Sequence, residues 1–262
     1  MYEEAAPPGR LRDVARCVWR SASEGPKRIV PDGCVDLVAG DGEVFVAGPD
    51  TTAWSSVTTP EAKLSGIRFH PGHAAAVLGV AADELRDRRV PLGEVWGRPG
   101  ALAAERLLAG EWSWADAVAS RMAEVPPPDA AVTALIARLD AGAARVTEAA
   151  AVLARSGEAR PEVERVEDPA ASVAVSERRL RRRFVQAVGY GPATYLRVSR
   201  FQRAVALAPH TPGLAALAAA AGYADQAHLS RDCRALTGLT PRAYFRLPST
   251  VDVAVRDRLR SA

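Results

Sequence analysis

Short apolar runs separated by turn residues dominate the first part of the chain. The runs CVDLVA (34–39) and EVFVAG (43–48) flank Gly40-Asp41-Gly42, a combination typical of a β-hairpin. Residues 62–69 are a further candidate strand, so β structure is predicted between residues 28 and 69.

After Pro71-Gly72 the spacing of apolar residues becomes that of short helices. Helices are predicted at 73–78, 82–86, 101–109 and 114–124. Strands followed by helices indicate an α+β N-terminal domain, built from a small antiparallel β sheet or barrel plus helices.

The proline run at 126–128 interrupts this pattern, because proline does not fit inside a helix. Helical stretches are then predicted at 130–139 and 145–155, before the polar segment SGEARPE. We therefore divide the chain into a mixed domain at 1–125, a helical linker at 126–157, an all-α domain at 158–248 and a tail at 249–262.

The all-α domain contains the pattern helix, tight turn, helix. An alanine-rich segment at 213–221 ends at Gly222, and Asp225 suits the N-cap of a new helix from residue 226 to about 237. Leu229 and Cys233 are spaced i, i+4 and are expected to face the core. The positions turned to solvent are then Gln226, Ala227, Ser230 and Arg231. Gln can read adenine and Arg can read guanine, so this helix suits a DNA major groove.

A similar unit precedes it. Ser176 suits the N-cap of a helix in which Leu180 and Phe184 form an i, i+4 apolar pair. Gly189 can end this helix, and Pro192 suits the first position of the next helix, which is predicted to run to about residue 208. That long helix joins the two units.

The positive charge of the chain is concentrated in these units. Residues 176–246 contain twelve arginines and three acidic residues, a net +9, whereas the whole chain carries +3 and the remainder therefore −6. The arginine run at 178–183, taken in isolation, would favour a solvated helix face. However, the helix that contains this run has an N-cap and core spacing, and a second helix of the same kind follows it. This context favours a polyanionic partner, whose counterions are released on binding.

Two segments, SERRLRRRFVQAVGYGPATYLRVSRFQRA (176–204) and AAAAGYADQAHLSRDCRALTGLTPRAY (218–244), resemble the DNA-binding domain of the AraC/XylS transcriptional regulators. The residues that carry the resemblance are, in order, Leu180, Arg182, Phe184, Gly189, Tyr195, Leu196, Arg200, Ala204, Gly222, Tyr223, Asp225, Leu229, Arg231, Gly238, Thr240, Pro241 and Tyr244. The resemblance implies two helix-turn-helix subdomains whose recognition helices enter successive major-groove segments ~34 Å apart.

Position by position, the resemblance also implies contacts with DNA. The implied base or phosphate contacts on the first recognition helix are Arg178, Arg181 and Arg182. Those on the second are Gln226, Ala227, His228, Ser230 and Arg231. Candidate phosphate contacts are Arg179, Arg200 and Arg203. Salt bridging is the alternative for Arg200 and Arg203, and a plain surface position is the alternative for His228.

Two positions depart from the family pattern. Pro169 stands where the supporting helix of the first unit usually has leucine, so this helix either begins at Pro169 with Asp168 as its cap or is distorted. Cys233 stands where the second recognition helix usually has phenylalanine, which makes a core side chain smaller.

The N-terminal part resembles an uncharacterised domain that is often fused to AraC-type DNA-binding domains. The segments that carry this resemblance are IVPDGCVDLV (29–38), FVAGPDT (45–51), GIRFHPG (66–72) and ELRDRRVPLGEVWG (84–97). Related regulators carry a sensing or dimerising domain at this position, so the resemblance implies binding of an effector or a partner.

Other hypotheses concern the same domain. Cys34, Asp36, His70 and His73 could ligate a metal in an enzyme, although packed or hydrogen-bonded roles are commoner for such residues. The tryptophans Trp54, Trp96, Trp112 and Trp114 either fill the core, which we favour, or line an apolar ligand pocket. A domain used solely for dimerisation is a third hypothesis.

Together these patterns predict a sequence-specific bacterial transcription factor and no enzyme, with no catalytic residue, metal or cofactor. The expected partners are double-stranded promoter or operator DNA, a small-molecule effector, a second copy of the chain in a homodimer, and RNA polymerase if the protein is an activator. The three cysteines lack zinc-finger spacing, and the sequence shows no secretory leader or long apolar run. A cytoplasmic protein without membrane contact is expected.

Overall fold

The structure is a computed structural model that describes residues 2–22, 25–58, 63–121, 127–142 and 177–246. The predicted helix at 145–155, the predicted cap Ser176 and the unusual Pro169 lie outside the described residues. Within the described ranges, strands and short helices come first and an all-helical part follows, so the predicted fold class is confirmed.

The strands of the described residues all lie in the N-terminal part. They are Tyr2–Ala5 (β1), Ala15–Ala22 (β2), Gly25–Ile29 (β3), Asp36–Gly40 (β4), Glu43–Ala47 (β5), Trp54–Thr58 (β6), Lys63–Phe69 (β7) and Arg89–Pro91 (β8). Six of them form one antiparallel sheet in the order β1-β2-β7-β4-β5-β8, while β3 and β6 pair separately.

The helices of the described residues follow the sheet. They are Ala74–Leu78 (α1), Leu92–Trp96 (α2), Arg98–Leu108 (α3), Trp114–Arg121 (α4), residues 130–142 (α5), Glu177–Val188 (α6), Pro192–Leu207 (α7), Leu214–Ala220 (α8), Gln226–Thr237 (α9) and Pro241–Arg246 (α10). None of the described helices is long and apolar enough to cross a membrane.

The predicted hairpin lies between β4 and β5. Gly40 pairs with Glu43, which leaves Asp41 and Gly42 as a two-residue loop. Both loop residues have positive φ, 51° and 79°. This backbone conformation matches the right-handed twist of the strands and explains why the loop sequence is Asp-Gly.

The structure corrects the N-terminal prediction at several points. β1 and β2 lie before the predicted β region, and α2 falls between predicted helices. β2 was not predicted because its alternation of apolar and polar residues is incomplete. Its buried positions alternate with exposed ones except at Val18, an apolar residue that is half-buried on the otherwise polar side. The helix predicted at 101–109 begins earlier, at Arg98 directly after Gly97, and the segment predicted at 82–86 is a 3-10 turn, Ala82–Glu84.

Helices cover one face of the six-stranded sheet. Leu37, Val46 and Ile67 are fully buried on this face, in one cluster with Val77 of α1 and Leu92 of α2. Full burial of an aliphatic side chain contributes about 1.5–3 kcal/mol, so this layer is the main stabilising contact of the N-terminal part.

The opposite face of the sheet carries a smaller cluster with a buried ion pair. Trp19 packs there beside Cys17 and Val38. The Trp19 indole donates to Asp36 at 3.1 Å, and Arg68 donates two further hydrogen bonds to Asp36, at 3.1 and 3.0 Å. Burial raises the pKa of Asp36 and these bonds oppose that shift. Since both carboxylate oxygens have donors, the group is satisfied inside the protein.

A second hydrophobic core joins the C-terminal helices to the N-terminal part. Phe184, Phe201 and Leu229 are fully buried in it. The same cluster contains Val30, directly after β3, and Val132 of α5. The C-terminal helices therefore share their core with residues from much earlier in the chain.

The packing of Trp19 allows a prediction about Gly66. A Cβ at Gly66 would lie 2.5 Å from the Trp19 ring and 2.7 Å from the Leu37 carbonyl oxygen. We expect Gly66→Ala to lower the free energy of unfolding by about 1–3 kcal/mol, as overpacking of a core does. Urea denaturation followed by circular dichroism measures the loss. Gly9→Ala is the matched control, because nothing lies within 4 Å of its Cβ position. Equal stability of the two variants would contradict the prediction.

Candidate nucleic-acid interface

The second predicted unit consists of α8, a turn at residues 221–225 and α9. Gly222, in the turn, has a φ of +84°. The Asp225 carboxylate accepts a hydrogen bond from His228 N at 2.6 Å and so caps α9 as predicted. At the other end, Gly238 has a φ of +72° and its N–H donates to the Arg234 carbonyl. Both ends of α9 therefore lie where the sequence predicted them.

One face of α9 is buried and the other is exposed. Leu229 and Cys233 are fully buried, as predicted. The Cys233 sulfur lies 3.4 Å from the Leu239 carbonyl oxygen, so the smaller side chain still closes the contact with the segment before α10. The opposite face exposes Gln226, Ala227 and Arg231, with Ser230 half-buried beside them.

Arg234 is a further exposed residue of this face that the sequence prediction omitted. It lies four residues after Ser230 and three after Arg231, so it is their neighbour on the helix surface. That spacing was available from the sequence, but the prediction followed the positions of the family motif and stopped at Arg231.

The N-terminal turns of α6 form a cationic surface. Arg178, Arg181 and Arg182 are exposed, and their spacing of three and four residues places them side by side. Arg179 is also exposed and interacts within the chain. Phe184 lies on the buried side of the helix. The helix thus presents three of the predicted contacts together.

Arg183 turns away from that surface and holds α5. Its Nε donates to one carboxylate oxygen of Asp129 at 2.6 Å, and its Nη2 donates to the other. Asp129 also accepts from the backbone N–H groups of Ala131 and Val132, and so caps α5. Desolvation raises the pKa of Asp129, but the Arg183 and backbone hydrogen bonds outweigh it and hold the pKa below its usual range. The pair fixes α5 to α6.

α7 bridges the two units, as predicted, and begins at Pro192. Near its start, the Tyr195 ring contacts the Phe184 ring of α6 edge-on, with centroids 5.8 Å apart. Further along, the Phe201 ring lies 5.3 Å from the Tyr244 ring of α10. One continuous helix therefore packs against α6 and α10 and shares a core with Leu229 of α9, which relates the positions of the two units.

Arg200 and His228, two of the predicted DNA contacts, face each other between α7 and α9. Arg200 Nη1 lies 3.2 Å from His228 Nε2, and the guanidinium lies 5.3 Å from the Tyr223 ring centroid. His228 Nε2 is also 3.8 Å from an Asp232 carboxylate oxygen. Burial raises the pKa of Asp232, while His228 and the nearby arginines oppose the shift. Both predicted contacts are half-buried in this network, which favours a role inside the protein.

Arg203 lies deeper on the same helix. It is half-buried, and its Nη1 is 3.5 Å from the Ala221 carbonyl oxygen at the end of α8. Burial lowers the pKa of its guanidinium. These contacts favour a role inside the protein for Arg203, through a backbone carbonyl, over a phosphate contact.

The N-terminal part of the chain contacts the end of α6. Arg86 donates to the Gly189 carbonyl at 3.1 Å. A Cβ on Gly189, whose φ is +96°, would lie 2.2 Å from Pro49. The absence of a side chain at Gly189 is thus needed both for the backbone turn and for the close approach of the two parts.

The N-terminal part also contacts the end of α9. Arg28 donates to the Thr237 carbonyl, and Ala53 N donates to the Leu236 carbonyl at 2.6 Å. The last carbonyls of a helix have no partner within it, and a cation is favoured there. Arg28 and Ala53 belong to or adjoin the β3–β6 pair, so this small sheet is a docking element for α9. The sequence carried no signal for this contact.

Two of the four candidate metal ligands, Asp36 and His73, have other partners. Both Asp36 oxygens bind Arg68 or Trp19, and burial raises the pKa of the Cys34 thiol. His73 Nδ1 lies 3.0 Å from the Pro71 carbonyl oxygen. Within the described ranges, no group of three or more His, Cys, Asp or Glu side chains could hold a metal ion.

The four tryptophans do not share one pocket. Trp96 is buried in the core and its indole donates to the Leu78 carbonyl at 3.1 Å. Trp54 is exposed, with the Arg89 guanidinium 4.3 Å above its ring. Trp112 and Trp114 are half-buried and line a cavity of the N-terminal part. Trp96 therefore fills the core, whereas Trp112 and Trp114 pack against the same core and also line the cavity.

Two parts of the chain match known families. Residues 170–247 match the family described as Helix-turn-helix domain, and residues 3–91 match the family described as Domain of unknown function (DUF6597). The sequence search against curated proteins gave no match.

Among solved structures, the chain is similar to ToxT from Vibrio cholerae. ToxT from strain O395 is 10% identical at a TM-score of 0.40, with 93% of this chain and 96% of that chain covered. The P21 form of ToxT is 8% identical at a TM-score of 0.41, with 93% and 97% covered. ToxT bound to (E)-4-(8-methylnaphthalen-1-yl)but-3-enoic acid is 10% identical at a TM-score of 0.39, with 93% and 98% covered.

The Asp129–Arg183 pair predicts a stability contribution that depends on pH. We expect Asp129→Ala to lower the free energy of unfolding by about 1 kcal/mol or more at pH 7, because α5 loses its N-cap and Arg183 its carboxylate. Since the folded state lowers the pKa of Asp129, this contribution is complete above the unfolded value of about 4 and is lost as the pH falls below it.

Urea denaturation of the wild type and the variant at pH 7, 5 and 3 measures this effect. The difference should be the same at the two higher pH values and smaller at pH 3. Asp13→Ala, which removes an exposed carboxylate elsewhere, is the control for the loss of one charge. A difference that does not change with pH would show that Asp129 acts without its charge.

Proposed function

We propose that this chain, which is an AraC-type DNA-binding transcriptional regulator, reads a specific DNA sequence with α6 and α9 together. The observation that carries the proposal is the pair of exposed surfaces on these helices, arginines on α6 and polar side chains on α9. Because α7 packs against both units, the two surfaces belong to one body. Phosphate contacts position such a body on DNA, and base contacts give it specificity.

We assign the direct contacts to the exposed residues. On α6, Arg178, Arg181 and Arg182 would bind phosphates or guanine edges. On α9, Gln226, Ser230 and Arg231 would face base edges, with Ala227 close to the groove floor. Arg234 would extend this set by one turn toward the end of the helix. Arg179 is retained as a phosphate contact.

We assign a positioning role to the half-buried residues of the predicted set. Arg200 and His228 interact with each other and with Tyr223, and Arg203 interacts with the end of α8. Side chains used in this way hold α9 at a fixed angle on α7. Their effect on DNA affinity would be indirect, through the orientation of α9.

We further propose that the N-terminal part sets the relation between the two recognition helices. It donates hydrogen bonds to the C-terminal ends of both, through Arg86 and through Arg28 with Ala53. A change in the N-terminal part would therefore be transmitted to both helices at once. This arrangement fits control by an effector or partner bound there. Homodimer formation, contact with RNA polymerase and a cytoplasmic location remain predictions.

Selection of duplexes from a random DNA pool by the full-length protein tests the function. We expect an enriched sequence that spans two successive major-groove segments and binds at least ~10³-fold more tightly than scrambled DNA at physiological salt. Purely salt-sensitive binding without enrichment would contradict sequence reading by α6 and α9.

On the selected duplex, Arg231→Ala tests base reading by α9. We expect a loss of about 1–3 kcal/mol in binding free energy and relaxed preference at one base pair, because a bidentate base contact is removed. Electrophoretic mobility shift or fluorescence anisotropy with single-base variants of the site provides the measurement. Arg98→Ala is the control, because it removes the same charge at an exposed position of α3. An equal loss on all sequences would identify Arg231 as a phosphate contact instead.

The double variant Arg28→Met with Arg86→Met tests the role of the N-terminal contacts. We expect the ratio of affinities for selected and scrambled DNA to fall about tenfold, since two hydrogen bonds that orient the recognition helices are lost. Affinity for scrambled DNA should stay unchanged, because the exposed arginines remain. Arg12→Met with Arg98→Met, both exposed and outside these contacts, is the matched control. An unchanged ratio would refute the proposed control of helix geometry.

A further inference from the structure

A large cavity lies in the N-terminal part, away from the DNA-reading helices. Its volume is about 890 Å³. The sheet forms its floor, through residues of β1, β2, β4 and β7, and the segment from the end of α3 to the start of α4 forms its other wall. Its volume lies in the range of small-molecule sites, which is roughly 300–1,000 Å³.

The walls of the cavity combine aromatic and aliphatic surface. Trp112 and Trp114, both half-buried, line it from the connection between α3 and α4. Val18 and Ala39 line it from the sheet, and Leu107 from the end of α3. Such a surface suits a ligand with an apolar body, and indole faces also attract cations.

The charged residues of the cavity are predominantly acidic. Three carboxylates, from Glu3, Glu111 and Asp116, line it together with one arginine, Arg20. Glu4 also adjoins the cavity, but its carboxylate accepts from the Tyr2 hydroxyl and lies 3.8 Å from Arg68 on the opposite face of the sheet. This excess of negative charge is unlike the cationic surface of α6. An anionic ligand would be repelled at this site, whereas a cation would be attracted.

The contacts of these carboxylates show which of them are accessible to a ligand. Glu111 is exposed and pairs with Arg106, and Glu3 is exposed opposite Arg20 on the neighbouring strand. Asp116 accepts hydrogen bonds from Ser113, which lower its pKa, so it is ionised at neutral pH. Because Asp116 also stabilises the turn before α4, Glu3 and Glu111 are the better positions for a test.

We propose that this cavity binds an organic cation with an aromatic or otherwise apolar body, held by the indoles of Trp112 and Trp114 and by the surrounding carboxylates. The inference rests on the proposed function in one respect, because the ligand would be the effector of the regulator. The site itself, however, can be tested without DNA.

Tetraphenylphosphonium and tetraphenylborate are suitable probes, because they have nearly the same size and shape and opposite charge. Isothermal titration calorimetry of the full-length protein should give saturable 1:1 binding of the phosphonium. It should bind at least about tenfold more tightly than the borate, as a site with excess negative charge requires. Equal affinities, or no saturable binding of the phosphonium, would overturn the proposal.

Two pairs of variants locate the binding. Glu3→Gln with Glu111→Gln should weaken phosphonium binding about tenfold, whereas Glu43→Gln with Glu94→Gln, exposed carboxylates outside the cavity, should leave it unchanged. Trp112→Leu should weaken it severalfold while keeping apolar bulk, and Trp54→Leu, outside the cavity, should not. Circular dichroism and thermal melts confirm that each variant is folded. Equal effects within either pair would place the phosphonium elsewhere and overturn the assignment.

Duplex selection and phosphonium binding, measured on the same protein preparation, distinguish a failure of this proposal from a failure of the proposed function. If the protein binds its selected duplex but shows no charge-selective binding of the phosphonium, the cavity assignment fails and DNA reading stands. If the phosphonium binds as expected but no duplex is enriched, the cavity assignment stands and DNA reading fails.

Discussion

The last carbonyl groups of a helix need hydrogen-bond donors that the helix does not supply. At the end of α9, donors come from Arg28 and Ala53 of the N-terminal part. At the end of α6, Arg86 of the same part donates to the carbonyl of Gly189, the residue directly after the helix. Reading successive major-groove segments requires a fixed distance and angle between two helices. The contacts that satisfy these backbone groups therefore also attach both helices to one body, and the core shared by Val30 and the C-terminal helices reinforces that attachment.

The sequence predicted those features that depend on local chemistry. Asp225 caps α9 because its carboxylate reaches a backbone N–H three residues later, and Asp41-Gly42 turns the hairpin because both residues adopt positive φ. The contacts that the sequence did not predict join residues far apart in the chain. Arg28 binds a carbonyl 209 residues away, and neither residue carries a local pattern that identifies its partner. The fold class and the helix surfaces were thus predictable, and the docking of the two parts was not.

Arginines of this chain serve different purposes, which a count of charges does not distinguish. The twelve arginines between residues 176 and 246 suggest a uniformly basic DNA surface. In the structure, Arg183 is neutralised by Asp129, and Arg200 and Arg203 bind groups inside the protein. The salt dependence of DNA binding reports the number of phosphates that the protein neutralises. That number should correspond to the exposed arginines and be smaller than the number of arginines in the sequence.

Packed segments connect the cavity of the N-terminal part with α6. Ser65 of β7 lies on the cavity floor, and the loop directly after β7 brings Gly72 against α5. A Cβ at this glycine would lie 3.0 Å from Ile136 and 3.5 Å from Val132 of α5, and 3.8 Å from Val188 of α6. A ligand that shifts β7 would therefore act first on α5, which the Asp129–Arg183 pair joins to α6. Coupling of this kind is reciprocal: if a ligand in the cavity changes DNA affinity by a given factor, bound DNA must change the ligand's affinity by the same factor. The physical route would be a displacement of packed backbone that passes from β7 through Gly72 to α5 and from there to α6.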